Sequence, residues 1–309
     1  VRAQIGPMAR TVGDLELAWK SISISEQAEG DPRVPPLSAA DPKEVSLDGL
    51  RIGLYDGDDL IEPAAVMRRA VHRAAEVLAE AGATVIDYTP ASSADVVYMW
   101  MAGITSDGGA TLGQRLAGEA TSPQLKPSRA IARVPGPARR LASVALGQLG
   151  QERLARLLEV LGRKPVEELW QLTHERTVLR QREHDGWHRA GIHALVCPAH
   201  VAPAMHHRAS SDFTLSIGPL ARWSLLNFPA GTVPVTKVRP GEQSYQGSHG
   251  DRLDDKMRSI LDGSAGLPIG VQVVALPFRE QVALAVMRAI ETGVFSDEDR
   301  PRSPIDPVR

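Results

Sequence analysis

Cys197, His200, His206 and His207 form the densest group of side chains in this chain that could do chemistry. A thiolate with imidazoles can hold zinc. The spacing Cys-x2-His-x5-His-His matches no zinc finger, however, and no second cysteine exists to complete one. The pattern favours a loop at the rim of a polar pocket, or plain surface, over a metal centre. Ser210, Ser211 and Asp212 follow at once and invite a Ser-His-Asp reading. Triads are made by geometry rather than by closeness in sequence, so hydroxyls satisfying turn backbone are the better account. Ser106-Asp107-Gly108-Gly109 is too short for a phosphate cradle and has no lysine beside it.

Nucleophilic catalysis by serine needs more than a hydroxyl. A base must take its proton. A lysine serves only where its surroundings lower its pKa. Converging N–H groups must hold the oxyanion, which a glycine-rich loop supplies. None of Lys20, Lys43, Lys126, Lys164, Lys237 and Lys256 has a serine three residues before it. Neither a Gly-Gly-Ser-Ser-Gly-Gly run nor a Gly-x-Ser-x-Gly elbow occurs.

The elements that would position any site alternate between helix and strand. Thr11 to Ser21 reads as a helix, Glu29 to Asp41 as a proline-rich loop, and Arg51 to Tyr55 as a strand ended by Asp56-Gly57-Asp58. Pro63 should sit in the first turn of the next helix, whose apolar face runs from Val66 to Ala81 until Gly82 closes it. Thr84 to Tyr88 then completes a β-α-β unit, which requires parallel strands. Residues 95–190 read as mainly helical, broken near Ser122-Pro123, Pro135-Gly136-Pro137 and Lys164-Pro165. Ala194–Cys197, Thr232–Val238 and Ile269–Leu276 read as core strands, and Glu280–Glu291 as the last helix. The expectation is an α/β layered fold of one domain over residues 1–295, with 95–190 as a helical insertion or cap and 296–309 a disordered tail.

Composition excludes several classes. An apolar fraction of 43% with 23% charged residues is that of a globular chain, and a net charge of -2 gives no field favouring nucleic acid. The arginine-rich stretches 153–164 and 176–189 are balanced by acids at helical spacing and lack aromatic platforms for bases. One cysteine suits a reducing, cytoplasmic setting. No apolar run reaches the roughly 18 residues of a membrane span.

In order, Gly6-Pro7-Met8-Ala9-Arg10-Thr11, Asp31-Pro32-Arg33-Val34-Pro35-Pro36-Leu37, Met67-Arg68-Arg69-Ala70, Ser106-Asp107-Gly108-Gly109, Leu169-Trp170, Phe228-Pro229-Ala230-Gly231 and Ala275-Leu276-Pro277-Phe278 resemble the C-terminal part of an amidase-signature enzyme, nearest to the fatty acid amide hydrolases. The resemblance implies a mixed, mostly parallel sheet with helices on both faces, incomplete at its N-terminal side. It also implies carboxamide hydrolysis without metal or organic cofactor, by a serine, a relay serine and a lysine. The segment carrying them would precede Gly6, so the chain alone is expected to be inactive and to need a missing or separate N-terminal portion. The chain's start at Val1 fits that expectation. A non-catalytic binding module on the same scaffold is the alternative.

By the same resemblance, Ile104 and Thr105 occupy positions that line an acyl channel, though Thr105 departs from the large aromatic expected there. Ile217, Leu220, Trp223, Leu226 and Phe228 form an apolar set at helical spacing: either core, or a pocket wall for an apolar acyl group. Pro137 to Gly150 sits where membrane-associated relatives carry an amphipathic cap, but its apolar face lacks aromatics. A solvated hairpin is favoured there over peripheral membrane contact. Unpaired strand edges would promote self-association, so a homo-oligomer is a further expectation.

Overall fold

The computed structural model describes residues 6–302 except 24–26, 38–39, 121, 124–125, 127–129, 132–133 and 208. Among these, five strands form one sheet: β1 (Arg51–Leu54), β2 (Thr84–Asp87), β3 (Ala194–Pro198), β4 (Ala230–Lys237) and β5 (Pro268–Ala275), in the order β2-β1-β3-β5-β4. β1 runs parallel to β2 and to β3, whereas β5 is antiparallel to both β3 and β4. The mixed sheet and the parallel β-α-β unit are as the sequence implies.

Helices cover both faces. In chain order they include α1 (Val12–Ile22), α2 (Ala65–Glu80), α3 (Ser93–Ile104), α4 (Ala110–Arg115), α5 (Gly136–Gln148), α6 (Glu152–Val160), α7 (Val166–Ala190), α8 (Gly218–Leu226), α9 (Arg252–Leu261) and α10 (Glu280–Gly293). β3 shows how the layers are made. Its Ala194 and Val196 join the core beneath α2 and α10, while Leu195 and Cys197 join a second cluster with Trp187 of α7 and Trp223 of α8. Successive strand residues point to opposite faces, so a strand covered on both sides must be apolar throughout.

α2 starts at Ala65 rather than around Pro63. The Ala64 N–H donates to the Val201 carbonyl at 2.9 Å, which holds Ala64 extended and places Pro63 just outside the helix. Gly82 ends this element at φ 96°, a left-handed conformation costly for other residues. The helical stretch between the two halves of the sheet breaks at Pro135 and Pro165, each preceding a helix as expected. In the segment read as a disordered tail, Asp297 pairs with Arg73 at 2.8 Å and Asp299 with Arg239 at 2.6 Å, so complementary charge holds its first part. Residues 303–309 lie outside the described residues.

Candidate functional site

α3 and α8 pack together, and they carry the apolar positions singled out in the sequence. Ile104, at the end of α3, is 44% exposed, and Leu220, in the first turns of α8, is 43% exposed. Ile217 is half-buried at the turn before α8. Thr105 is fixed from two sides: its hydroxyl donates to the Met101 carbonyl at 2.8 Å and accepts from the Gly162 N–H at 3.0 Å. That second bond fastens the end of α3 to the loop between α6 and α7.

Trp223, Leu226 and Phe228 are placed differently, all buried against Trp187. Ring centroids lie 5.4 Å apart for Trp187 and Phe228, 5.8 Å for Trp223 and Phe228, and 6.1 Å for Trp187 and Trp223. α8 ends at Asn227, whose φ is 59°. The Phe228 N–H turns back to the Trp223 carbonyl at 3.0 Å. This six-to-one bond with a contact between the two side chains is a Schellman stop. The candidate positions therefore divide into an exposed or half-buried part, Ile104, Ile217 and Leu220, and a buried part, Trp223, Leu226 and Phe228, that backs it.

Beneath lies a polar network that the sequence reading did not pick out. Asp58 and Arg222 are each about 1% exposed and 3.9 Å apart. Oδ1 of Asp58 accepts the N–H groups of Leu60 and Ile61 at 3.0 and 3.1 Å, and Oδ2 accepts the Ser93 hydroxyl. Arg222 in turn donates to the Ser93 oxygen. Burial pushes the Asp58 pKa up, against the pull of Arg222 and these hydrogen bonds. Gly218 allows the approach, since a Cβ there would stand 2.9 Å from Asp58 Oδ2. Glu183 is a second such centre. It accepts from Tyr88 Oη at 3.1 Å, Trp187 Nε1 at 2.8 Å and the Ala91 N–H at 2.7 Å. One signal was available: Arg222 is the only charged residue between Asp212 and Lys237.

The cysteine–histidine group does not converge. Cys197 is buried, its thiol pushed up to about 12 by desolvation, and Sγ lies 3.8 Å from Gln272 Oε1. His206 and His207 are exposed. Among the described residues, no group of three His, Cys, Asp or Glu is placed to share an ion. His200 has a serine partner, with Nε2 3.1 Å from Ser216 Oγ. But that hydroxyl donates to the Phe213 carbonyl at 2.7 Å, so it accepts from Nε2, while Nδ1 accepts the Ala202 N–H at 3.1 Å. His200 thus donates to Ser216 and takes no proton from it. Burial lowers its pKa, in keeping with a neutral ring. Asp212 pairs with Lys256 at 2.7 Å instead of completing a triad. Asp107 caps α4 by accepting from Gly109 and Thr111 at 2.7 and 2.8 Å, a structural duty for the Ser-Asp-Gly-Gly run.

The Amidase family matches residues 1–284. Fatty-acid amide hydrolase 1 of Sus scrofa is 32% identical over 296 residues, which is 94% of this chain and 51% of that protein. Fatty acid amide hydrolase 1 of Caenorhabditis elegans is 28% identical over 301 residues, 95% of this chain and 52% of its own length. A solved fatty acid amide hydrolase superposes with a TM-score of 0.73 at 19% identity, over 94% of this chain and 48% of that one. The chain spans about half the length of the curated relatives it matches.

Proposed function

This chain belongs to the amidase family, and we propose that it is the scaffold half of a hydrolase cleaving fatty acyl or other apolar acyl amides to acid plus amine. One observation carries the reading: 32% identity to a fatty-acid amide hydrolase over nearly the whole chain. In this proposal the nucleophilic serine, relay serine and lysine base come from polypeptide outside these 309 residues, in the same chain or a separate one. An acyl-enzyme then forms and is hydrolysed.

The part assigned to this chain is substrate placement. Ile104, Thr105, Ile217 and Leu220 would meet the acyl group, since α3 and α8 pack together and leave Ile104 and Leu220 exposed. Trp223, Leu226 and Phe228 would set the position of that wall from behind. Apolar walls with few polar groups suit acyl chains. A second reading rests on the sequence itself: without a Ser-x-x-Lys pair these residues suit a binding module on the hydrolase scaffold.

A fluorogenic acyl-amide assay separates the two. Turnover is expected only when residues 1–309 are combined with a polypeptide carrying the serine and lysine segment. Turnover by residues 1–309 alone would overturn this division of labour. Acyl-amide binding without turnover in either preparation would favour the module.

We also place a membrane contact on α5, whose Leu141 is 74% exposed beside exposed Val144 and Leu149. Trp170 of α7, 75% exposed, is an aromatic suited to an interface. Among the described residues no helix is long and apolar enough to cross a membrane. Co-sedimentation with vesicles, lost in Leu141→Asp, is the expected result. Among the described residues β2 and β4 are the end strands of the sheet, so self-association through them belongs to the same proposal and is read by light scattering.

A further inference from the structure

On α7 the rings of His184 and His188, one helical turn apart, meet tip to tip. Their Nε2 atoms are 3.2 Å apart, and the ring centroids lie 4.4 Å apart at 62°. Residues four apart share a helix face, and paired histidines at this spacing are how helical zinc sites are built. Two zinc–nitrogen bonds of about 2.0–2.1 Å, opened to a tetrahedral angle, set their nitrogens roughly 3.3–3.4 Å apart. The pair thus already stands within about 0.2 Å of a bite for such an ion.

The surroundings fit the same purpose. The other nitrogen of His184, Nδ1, faces Asp185 Oδ1 at 3.8 Å, on the side where metal-bound imidazoles direct their remaining N–H. Asp185 is itself oriented by Gln181 Nε2 at 2.8 Å. Beneath the pair, buried Glu183 and Trp187 tie this stretch of helix to Tyr88 and Ala91, so the backbone carrying both rings is held. His188 is exposed and His184 half-buried, which leaves the bite open to solvent.

We propose that His184 and His188 form a bidentate site for a divalent transition cation of the zinc class. Imidazole suits zinc, copper and nickel rather than magnesium or calcium. No third described His, Cys, Asp or Glu joins the pair, so the remaining coordination positions fall to water. Neither histidine belongs to the acyl wall assigned to α3 and α8, and the site takes no part in the proposed amide hydrolysis.

Calorimetric titration of the chain with zinc chloride at neutral pH tests this. One saturable equivalent is expected, and His184→Gln or His188→Gln should each weaken it by about a hundredfold as a two-point attachment becomes one-point. His174→Gln, elsewhere on the same helix, should leave it unchanged. Imidazole nitrogen resonances of the unsubstituted protein give a second measure: zinc must shift the Nε2 signals of His184 and His188 before those of any other histidine. No saturable equivalent, or equal binding by the double variant, would overturn the proposal and leave a simple N–H···N hydrogen bond between the rings.

Discussion

Arg222 of α8 and Asp58 of the turn after β1 form an ion pair removed from solvent, 3.9 Å apart, with the Ser93 hydroxyl between them. Removing one member leaves the other charge buried alone, at a cost of about 3–5 kcal/mol. Arg222→Met is therefore expected to lower the urea midpoint by that equivalent. Asp58→Asn with Arg222→Met together should cost less than the single change. The pH dependence has a definite sign. Burial raises the folded Asp58 pKa above the ordinary 3.8, so the folded state binds its proton more readily than the unfolded state does. Without Arg222 the buried carboxylate's pKa rises further, so the deficit of Arg222→Met relative to wild type should shrink as pH falls toward the wild-type folded value.

A second buried network behaves oppositely. Arg153 of α6 donates to Asp251 Oδ2 at 2.8 Å, Asp254 Oδ1 at 2.7 Å and the Leu60 carbonyl at 2.9 Å. Burial is the largest influence and works against both carboxylates, but the hydrogen bonds and charge of Arg153 together with backbone N–H donors outweigh it, and both pKa values lie below 3.8. Their contribution is complete above 3.8 and is lost as pH falls through the depressed folded values. Arg153→Met should cost about 3–5 kcal/mol at neutral pH. The gap to wild type, followed by urea unfolding, should narrow once pH drops below 3.8.

Much of the scaffold could be read from residue order. β3 and β5 are runs of apolar residues because both faces are covered, and α2 carries a continuous apolar stripe. The division of the candidate wall could not be read. Ile217, Leu220, Trp223, Leu226 and Phe228 share one spacing, yet Asn227 adopts a left-handed turn that folds Phe228 back onto Trp223. Asp58 looked like a turn residue, since the partner that gives it another role lies far along the chain. Local pattern reports periodicity; it does not report which distant residue fills the space.

Cys197 should be silent toward thiol reagents in the folded chain. Its thiol is buried and pushed up to about 12, so the reactive thiolate is scarce at neutral pH. Titration with a disulfide reagent is expected to release colour only after denaturant is added. Release within the mixing time of native protein would contradict this placement.

Gly270 and Gly231 face each other's strands but should differ in tolerance. A Cβ on Gly270 would stand 2.8 Å from the Val233 carbonyl oxygen, and only a shift of β4 or β5 relieves that. Gly270→Ala should cost about 1–3 kcal/mol. At Gly231 the obstacle is the flexible end of Met287, so Gly231→Ala should cost less, as measured by thermal unfolding.

The alternation along β3 has a consequence for how the molecule comes apart. Ala194 and Val196 belong to one layer, and Leu195 and Cys197 to the other. Neither layer can be peeled away without stripping cover from the strand that the other layer also needs. Amide protons of Leu195 and Val196 would then exchange with solvent only through global opening, at a common free energy. A sheet sandwiched in this way ties the fate of the α8 wall to that of α2 and α10 on the opposite face.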